Sequence, residues 1–332
     1  MNSERRIDAV FEGGGVKGSA LVGALAATEA AGYTYENVAG TSAGAIVAAL
    51  VAAGYSAGEM KNIIDTLDYR RFQDRTVLNR IPFIGRPVCT LFNQGWYKGK
   101  EFERWMRVLL EAKNIRTYKD LIVSEYAADP RYRYKLQVVA SDISRGKLLI
   151  LPRDAADYGI NPDDLDVVTS IRMSMSIPYF YSPVVQRGSN GKSYIVDGGI
   201  LSNFPVFLFD DNTENPPWPT IGYKLVDPDE NKPHPVWGPI SFSWALIQTM
   251  MEAHDARYIA DRDFIRTVPI PTLGVQTTEF DISAARKQAL YQSGLTAGQE
   301  FFAKWNFAEY KEKYRQAEPE HRTDRVWDTD TK

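Results

Sequence analysis

Ser42 and Asp197 are the two side chains with the best claim to chemistry in this sequence. Ser42 sits in Gly40-Thr41-Ser42-Ala43-Gly44, a G-x-S-x-G pentapeptide between Tyr35-Glu36-Asn37-Val38-Ala39 and an apolar run from Ala43 to Ala53. A short strand, a tight turn with the serine at its apex and a helix behind it make a nucleophile elbow. Small flanking residues let the backbone turn sharply without Cβ clashes. The helix start points free N–H groups and a partial positive charge at an anion developing near the serine. This arrangement suits acyl transfer; a Gly-Thr-Ser loop capping an ordinary helix is the plainer alternative.

A serine nucleophile needs a base. Asp197 opens Asp197-Gly198-Gly199 after the apolar Tyr194-Ile195-Val196, at a strand end where a parallel sheet places its ligand crevice. A carboxylate whose pKa is raised by burial takes the serine proton directly and returns it to the leaving group. Read alone, Asp-Gly-Gly is most often a turn. The competing base is a histidine in a Ser-His-Asp triad, and the candidates are His234, His254 and His321. His321 lies in a charged tail, His234 between two prolines, and His254 in a helical stretch. The order Ser, Asp, His matches an α/β-hydrolase, but that fold builds several strands before its elbow. Here one strand precedes Ser42.

The cluster Gly13-Gly14-Gly15 supports two chemistries. Backbone N–H groups of adjacent glycines stabilise the oxyanion of acyl transfer, and the N–H of Ala43 adds a donor. Alternatively, Gly13, Gly15 and Gly18 fit the dinucleotide fingerprint after a strand and before a helix. That fingerprint wants an acidic residue at the second strand end, where this chain carries Gly40-Thr41-Ser42. Lys17 is followed by Gly18 rather than Ser or Thr, so a P-loop does not fit either.

The elements that must position these residues follow from the pattern. Ile7–Phe11 is a buried strand, Ser19–Ala31 a helix, Val38–Ala39 the strand entering the elbow, and Ser56-Ala57-Gly58-Glu59 a capping box opening another helix. Strand, helix, strand, helix in so short a span predicts a parallel α/β sheet with right-handed crossovers. Tyr69–Tyr97, with its prolines, glycines and aromatic residues, is a long excursion of the kind that forms lids or binding loops. Lys100–Lys113 is helical and Thr117–Asp120 opens a helical turn. Tyr134–Ala140 and Lys147–Leu151 form a strand pair, Asp166–Met175 a helix, and Thr220–Val226 a strand. Ser241–Ile259 reads as an amphipathic helix, Phe264–Ile270 as a last strand and Ser283–Phe307 as a long helix. A single domain over residues 1–310 is expected, with a polar, frayed tail over 311–332.

Taken in order, Gly13-Gly14-Gly15-Val16-Lys17-Gly18, Gly40-Thr41-Ser42-Ala43-Gly44 and Asp197-Gly198-Gly199 make the chain resemble the patatin-like phospholipases. Ser170-Ile171-Arg172-Met173-Ser174-Met175-Ser176-Ile177-Pro178 and Asn203-Phe204-Pro205 extend the likeness, which runs from Ile7 to Pro205. The resemblance implies a three-layer α/β sandwich with a mostly parallel central sheet flanked by helices. It implies a lipid acyl hydrolase of the phospholipase A or lysophospholipase type, acting on phospholipid or other lipid esters without metal or cofactor. Position by position, Ser42 resembles the nucleophile, Asp197 the base, and Gly13, Gly14 and Gly15 the oxyanion loop. Lys17 stands where the family often has Arg, a place to orient the loop or meet a lipid phosphate. Arg172 is left without a role. The Tyr69–Tyr97 excursion is the candidate for acyl-chain or peripheral membrane contact.

Composition narrows the alternatives. A net charge of -3 with no Lys/Arg block argues against a nucleic-acid binder. The single cysteine, Cys89, excludes an internal disulfide framework and fits a reducing compartment, with a packed thiol. No signal-peptide core is visible at Met1–Ile7, and the apolar run from Ala43 to Ala53 is too short to span a bilayer. A cytoplasmic protein is expected, with any membrane contact peripheral.

Overall fold

A computed structural model describes residues 5–74, 95–188, 191–210, 216–227 and 261–314, together with 236, 238, 242, 245–247, 249 and 250. In chain order its principal elements are β1 (Arg6–Phe11), α1 (Gly18–Ala30), β2 (Thr34–Thr41), α2 (Ala43–Ala52), α3 (Ala57–Thr66), β3 (Gly95–Tyr97), α4 (Lys100–Glu111), β4 (Leu136–Asp142), β5 (Lys147–Leu151), α5 (Val167–Ser174), β6 (Tyr179–Tyr181), β7 (Val184–Gly188), β8 (Gly191–Asp197), β9 (Thr220–Val226), α6 (Asp261–Ile265), β10 (Thr267–Pro271), α7 (Ala284–Phe302) and α8 (Phe307–Tyr314). Among the described residues the main sheet runs β10-β9-β1-β2-β4-β8-β7, with β5 also paired to β4. The pairs β10–β9, β9–β1, β1–β2 and β2–β4 are parallel; β4–β8, β8–β7 and β4–β5 are antiparallel.

β1 lies at the centre of the parallel part and is buried over nearly its whole length, as a strand covered on both faces requires. Its register on β2 shifts between Ile7 and Ala9. The carboxylate of the buried Asp8 accepts the Asn37 N–H there at 3.0 Å, so the irregularity leaves that donor satisfied. Ile7, Ala9 and Phe11 face a large core built with α1, α2 and α3. Val10, Ala39, Val139 and Ile150 face the opposite side and are closed by the helical turn Val206–Phe209.

α1 is apolar all round, which marks a helix buried on every side. It lies between the sheet and α7, and the two helices touch backbone to backbone. A Cβ on Gly23 would stand 1.9 Å from the Tyr291 carbonyl oxygen, and one on Gly294 would stand 1.8 Å from that of Ala20. α3 starts at the expected capping box: Ser56 Oγ accepts the Glu59 N–H while the Glu59 carboxylate accepts the Ser56 N–H.

Two expected elements differ. Residues 261–265 are helical, so the last strand begins at Thr267 rather than Phe264. The buried Arg266 side chain grips Asp263, three residues earlier, and Asp210, and the contact with Asp263 needs a helical turn. The long C-terminal helix stops at Phe302, because Asn306 Oδ1 accepts the N–H groups of Ala308 and Glu309 and starts α8 afresh. Tyr310, in that helix, is buried against Trp305 just before it. The Tyr69–Tyr97 excursion is described at its two ends. Phe72 packs on Phe102 and Trp105, Asp74 caps the start of α4, and β3 pairs with β6. Its middle, with Cys89, lies outside the described residues, as do most of the helix expected over 241–259 and residues 315–332.

The α1–α7 crossing has a direct test. Gly294→Ala is expected to lower the unfolding free energy in urea by about 1–3 kcal/mol through overpacking. Gly58→Ala, on the open face of α3 where an added Cβ meets only Ser56 Oγ at 3.9 Å, should be neutral or stabilising. Equal midpoints for Gly294→Ala and wild type would exclude so close a crossing.

Candidate active site

Ser42 follows β2 with φ 53° and ψ -122°, a left-handed backbone that costs a non-glycine residue roughly 1–3 kcal/mol. The surroundings enforce it. A Cβ on Gly40 would lie 2.3 Å from the Gly44 carbonyl carbon, and one on Gly44 would lie 2.2 Å from the Phe11 carbonyl oxygen. The two glycines of the pentapeptide are therefore required by close approach of backbone to backbone. The Ser42 N–H donates to Ser174 Oγ at 2.8 Å, and Ser174 Oγ donates onward to the Val139 carbonyl at 2.6 Å. Thr41 Oγ1 donates to the Ser202 carbonyl at 3.1 Å. The Ser42 carbonyl accepts the Ala45 N–H at 3.0 Å and starts α2.

β4 holds both ends of the site. Thr41 pairs with Val139 and Asp197 with Ala140, so the last residue of β2 and that of β8 occupy consecutive positions on one strand. Gly198 makes the approach possible: a Cβ there would stand 2.3 Å from the Val139 carbonyl oxygen and 3.0 Å from Thr41 Cγ2. Ser42 is 3% exposed and Asp197 0%. The Asp197 N–H donates to the Ser176 carbonyl at 3.0 Å, and Oδ1 accepts the Gly199 N–H at 2.9 Å. Oδ2 is buried and has no aligned hydrogen bond among the described residues. Burial pushes the carboxyl up to about 7, against the opposing pull of the Gly199 N–H and the neighbouring Ser42 hydroxyl. A single well-made hydrogen bond does not offset the loss of water around a carboxylate.

The glycine loop runs beside the serine, since a Cβ on Gly13 would lie 3.2 Å from Ser42 Cβ. The three glycines are not equivalent. The Gly13 N–H donates to the Asn203 carbonyl at 3.2 Å, and Asn203 Nδ2 returns a bond to the Gly13 carbonyl at 3.3 Å. Among the described residues, the N–H groups of Gly14, Gly15 and Ala43 have no acceptor. Gly15 has φ +57°, and a Cβ there would meet the Thr277 carbonyl oxygen at 2.0 Å.

Charged residues lock this loop from below. Glu12 is buried and meets Lys224 Nζ at 2.9 Å and the Leu225 N–H. Burial raises its pKa and the Lys224 ammonium opposes the rise. Lys17 is also largely buried, its Nζ 3.3 Å from Asp227 Oδ2, so its ammonium is joined to a protein carboxylate at the end of β9. Arg172 is buried and donates to the carbonyls of Lys98 and Ser182, each at 2.8 Å, fastening the β3–β6 pair to α5.

Glu12, Ser174, Lys224 and Asp227 escape sequence reasoning, because each acts through a partner dozens to hundreds of residues away. The glutamate directly before three glycines is the nearest thing to a signal. His234, His254 and His321 lie outside the described residues.

Comparison with known proteins gives a consistent result. Residues 9–210 match the family described as patatin-like phospholipase. The protein YqhO of Bacillus subtilis is 37% identical over 306 residues, covering 91% of this chain and 99% of its own length. The protein R571 of Acanthamoeba polyphaga mimivirus is 22% identical over 299 residues, covering 86% of this chain and 90% of its own. Among solved structures, VipD from Legionella pneumophila aligns with a TM-score of 0.53 at 17% identity, over 90% of this chain and 67% of that one. The ExoU–SpcU complex from the type III secretion system of Pseudomonas aeruginosa aligns with a TM-score of 0.50 at 18% identity, over 91% of this chain and 52% of that one. This chain thus spans about half of that neighbour. At these identities the two structures show a shared fold.

Burial of Asp197 has a stability signature. Its folded pKa of about 7 lies above the unfolded value of about 3.9. The folded state therefore holds the extra proton, and stability falls as pH rises through that window. Asp197→Asn removes the titration. It is expected to raise the unfolding free energy at about pH 8 by on the order of 1–4 kcal/mol, with the gain fading toward about pH 4. Urea unfolding at both pH values measures this; a gain independent of pH would mean that desolvation of the carboxylate is not its source.

Proposed function

The chain belongs to the patatin-like phospholipase family, which carries hydrolysis of lipid esters, and from that premise we propose a phospholipase A or lysophospholipase type of enzyme working through a Ser42–Asp197 dyad. The observation that carries this reading is a carboxylate held fully buried, with its pKa raised to about 7, beside a serine on a strained elbow. A base poised near neutral pH combines the correct ionisation with useful basicity.

In this reading Ser42 Oγ attacks the ester carbonyl carbon while its proton passes to Asp197. The carbonyl oxygen becomes an oxyanion held by the N–H groups of Gly14, Gly15 and Ala43, which have no acceptor among the described residues. Collapse of the tetrahedral intermediate breaks the ester C–O bond, and Asp197 returns the proton to the departing alcohol. Water then attacks the acyl-enzyme, gives a proton to Asp197, and the fatty acid leaves as Ser42 regains its hydrogen. Gly13 contributes by fixing the loop through Asn203. Lys17, already joined to Asp227, orients the loop rather than meeting a lipid phosphate. The single cysteine supports action in a reducing compartment.

Fatty-acid release from mixed phospholipid vesicles, without added calcium, tests the dyad. Ser42→Ala and Asp197→Asn are each expected to lower kcat by about 10³-fold or more, while His234→Ala/His254→Ala keeps wild-type activity. If the double histidine change abolishes release, a Ser-His-Asp triad replaces the dyad. A thermal shift with nicotinamide dinucleotide and no ester hydrolysis would instead favour a nucleotide site at Gly13, Gly15 and Gly18. The rate should rise with pH through an apparent pKa of about 7, because the base acts ionised and is lost as pH falls. A profile flat from about pH 5 to 8 would remove Asp197 as the base.

A further inference from the structure

Behind the Asp197 turn lies a short amphipathic segment that the proposed chemistry does not use. Residues 242, 245–247, 249 and 250 are helical. Ile247 is 8% exposed and packs in one cluster with Val196 and Ile200, flanked by Tyr179 and Leu201. Val196 immediately precedes Asp197 and Ile200 immediately follows Gly199, so this helix rests on the turn that carries the base. Phe242, Leu246 and Met250 of the same segment are 53%, 49% and 40% exposed. Their spacing of four places them along one helical stripe. Val236, just upstream, is also exposed.

Large apolar side chains aligned on a water-facing stripe mark an interaction surface. The chemistry around them selects the partner. No Asp, Glu, Lys or Arg occurs from Val236 to Met251, so the stripe has no charge within its own segment to pair with a protein rim. Uncharged Ser, Thr and Gln with bulky apolar side chains suit a helix lying in the headgroup region with its apolar side in the acyl boundary. The overall charge of -3 gives no general attraction to anionic lipid. Ser42 and Asp197 are almost wholly shielded from water, and a lipid ester resides in an aggregate, so a docking face close to the Asp197 turn brings the two together.

We propose that Phe242, Leu246 and Met250 form a docking face that inserts into the surface of a zwitterionic lipid bilayer and holds the Asp197 turn against it. The assignment of a lipid surface rests on the lipid-hydrolase reading above. Insertion is driven by apolar burial and so is insensitive to salt.

Flotation with phosphatidylcholine vesicles tests the face independently of turnover, using the full chain carrying Ser42→Ala. Wild-type sequence at the stripe is expected to float with the vesicles at low and high salt alike. Phe242→Ser/Leu246→Ser/Met250→Ser is expected to reduce the bound fraction by about tenfold or more, and Leu246→Gln alone to give a partial loss. With Ser42 restored, the triple variant should hydrolyse a soluble short-chain ester within about twofold of wild type and lose vesicle hydrolysis in step with binding. Unchanged flotation of the triple variant overturns the proposal, as does binding only to anionic vesicles at low salt. Loss of soluble-ester hydrolysis to the same degree would make the stripe a structural support and also overturn it. Failure of wild type to float, with a dimer that the triple variant cannot form, would assign the face to a protein partner. Absence of hydrolysis on every ester would fall on the dyad alone, since flotation reads docking without it.

Discussion

Two adjacent residues of one strand, Val139 and Ala140, set the geometry of the whole site. They pair with Thr41 and Asp197, the last residues of β2 and β8. β2 arrives parallel to β4 and β8 antiparallel, so two chain segments more than 150 positions apart end at the same level of the sheet. Everything local to the site follows from that coincidence. Gly198 must lack a side chain because the Val139 carbonyl is already there. Ser174 must be short and polar because it fills the gap between the Ser42 N–H and the same carbonyl. A bulkier residue at any of these places would separate the two strand ends.

The same closeness sets the electrostatics. With both strand ends driven into the sheet, Asp197 loses water and gains one backbone donor. The fold tolerates a carboxyl that resists ionisation, and that resistance is what brings it to a pKa of about 7. Glu12 is buried too, yet a facing ammonium from Lys224 opposes the effect of burial on it. Two buried acids within one site thus take different roles through their partners. One braces a loop, and the other keeps a raised pKa.

Much of this was legible in the residues themselves. The alternation of strand and helix from Ile7 to Gly54, the capping box at Ser56 and the turn at Asp197-Gly198-Gly199 are local signals, and local hydrogen bonding or periodicity carries them. The elbow was legible in part because Gly40 answers to a contact within a few positions, the close approach of Gly44. What escaped is non-local. Nothing near Gly13 announces that its N–H belongs to Asn203. The break between α7 and α8 was missed because Asn306 acts as a cap inside an otherwise helical pattern. The strand expected from Phe264 was misplaced because a buried ionic cluster around Arg266 outweighs local β preference.

The anchors of the glycine loop also bear on how the molecule matures. Tyr223, Lys224, Leu225, Asp227 and Thr277 hold residues 12–17 in place, and α7 seals α1 from outside. All of them lie beyond residue 210, where the family match ends. A chain still emerging from the ribosome with Gly13, Gly14, Gly15, Ser42 and Asp197 already translated would hold those residues and none of these fastenings. Its glycine loop would be tied through Asn203 alone until the last third had been threaded into the sheet beside β1. The full set of anchors for this loop is therefore in place only once the segment beyond residue 210 has joined the sheet.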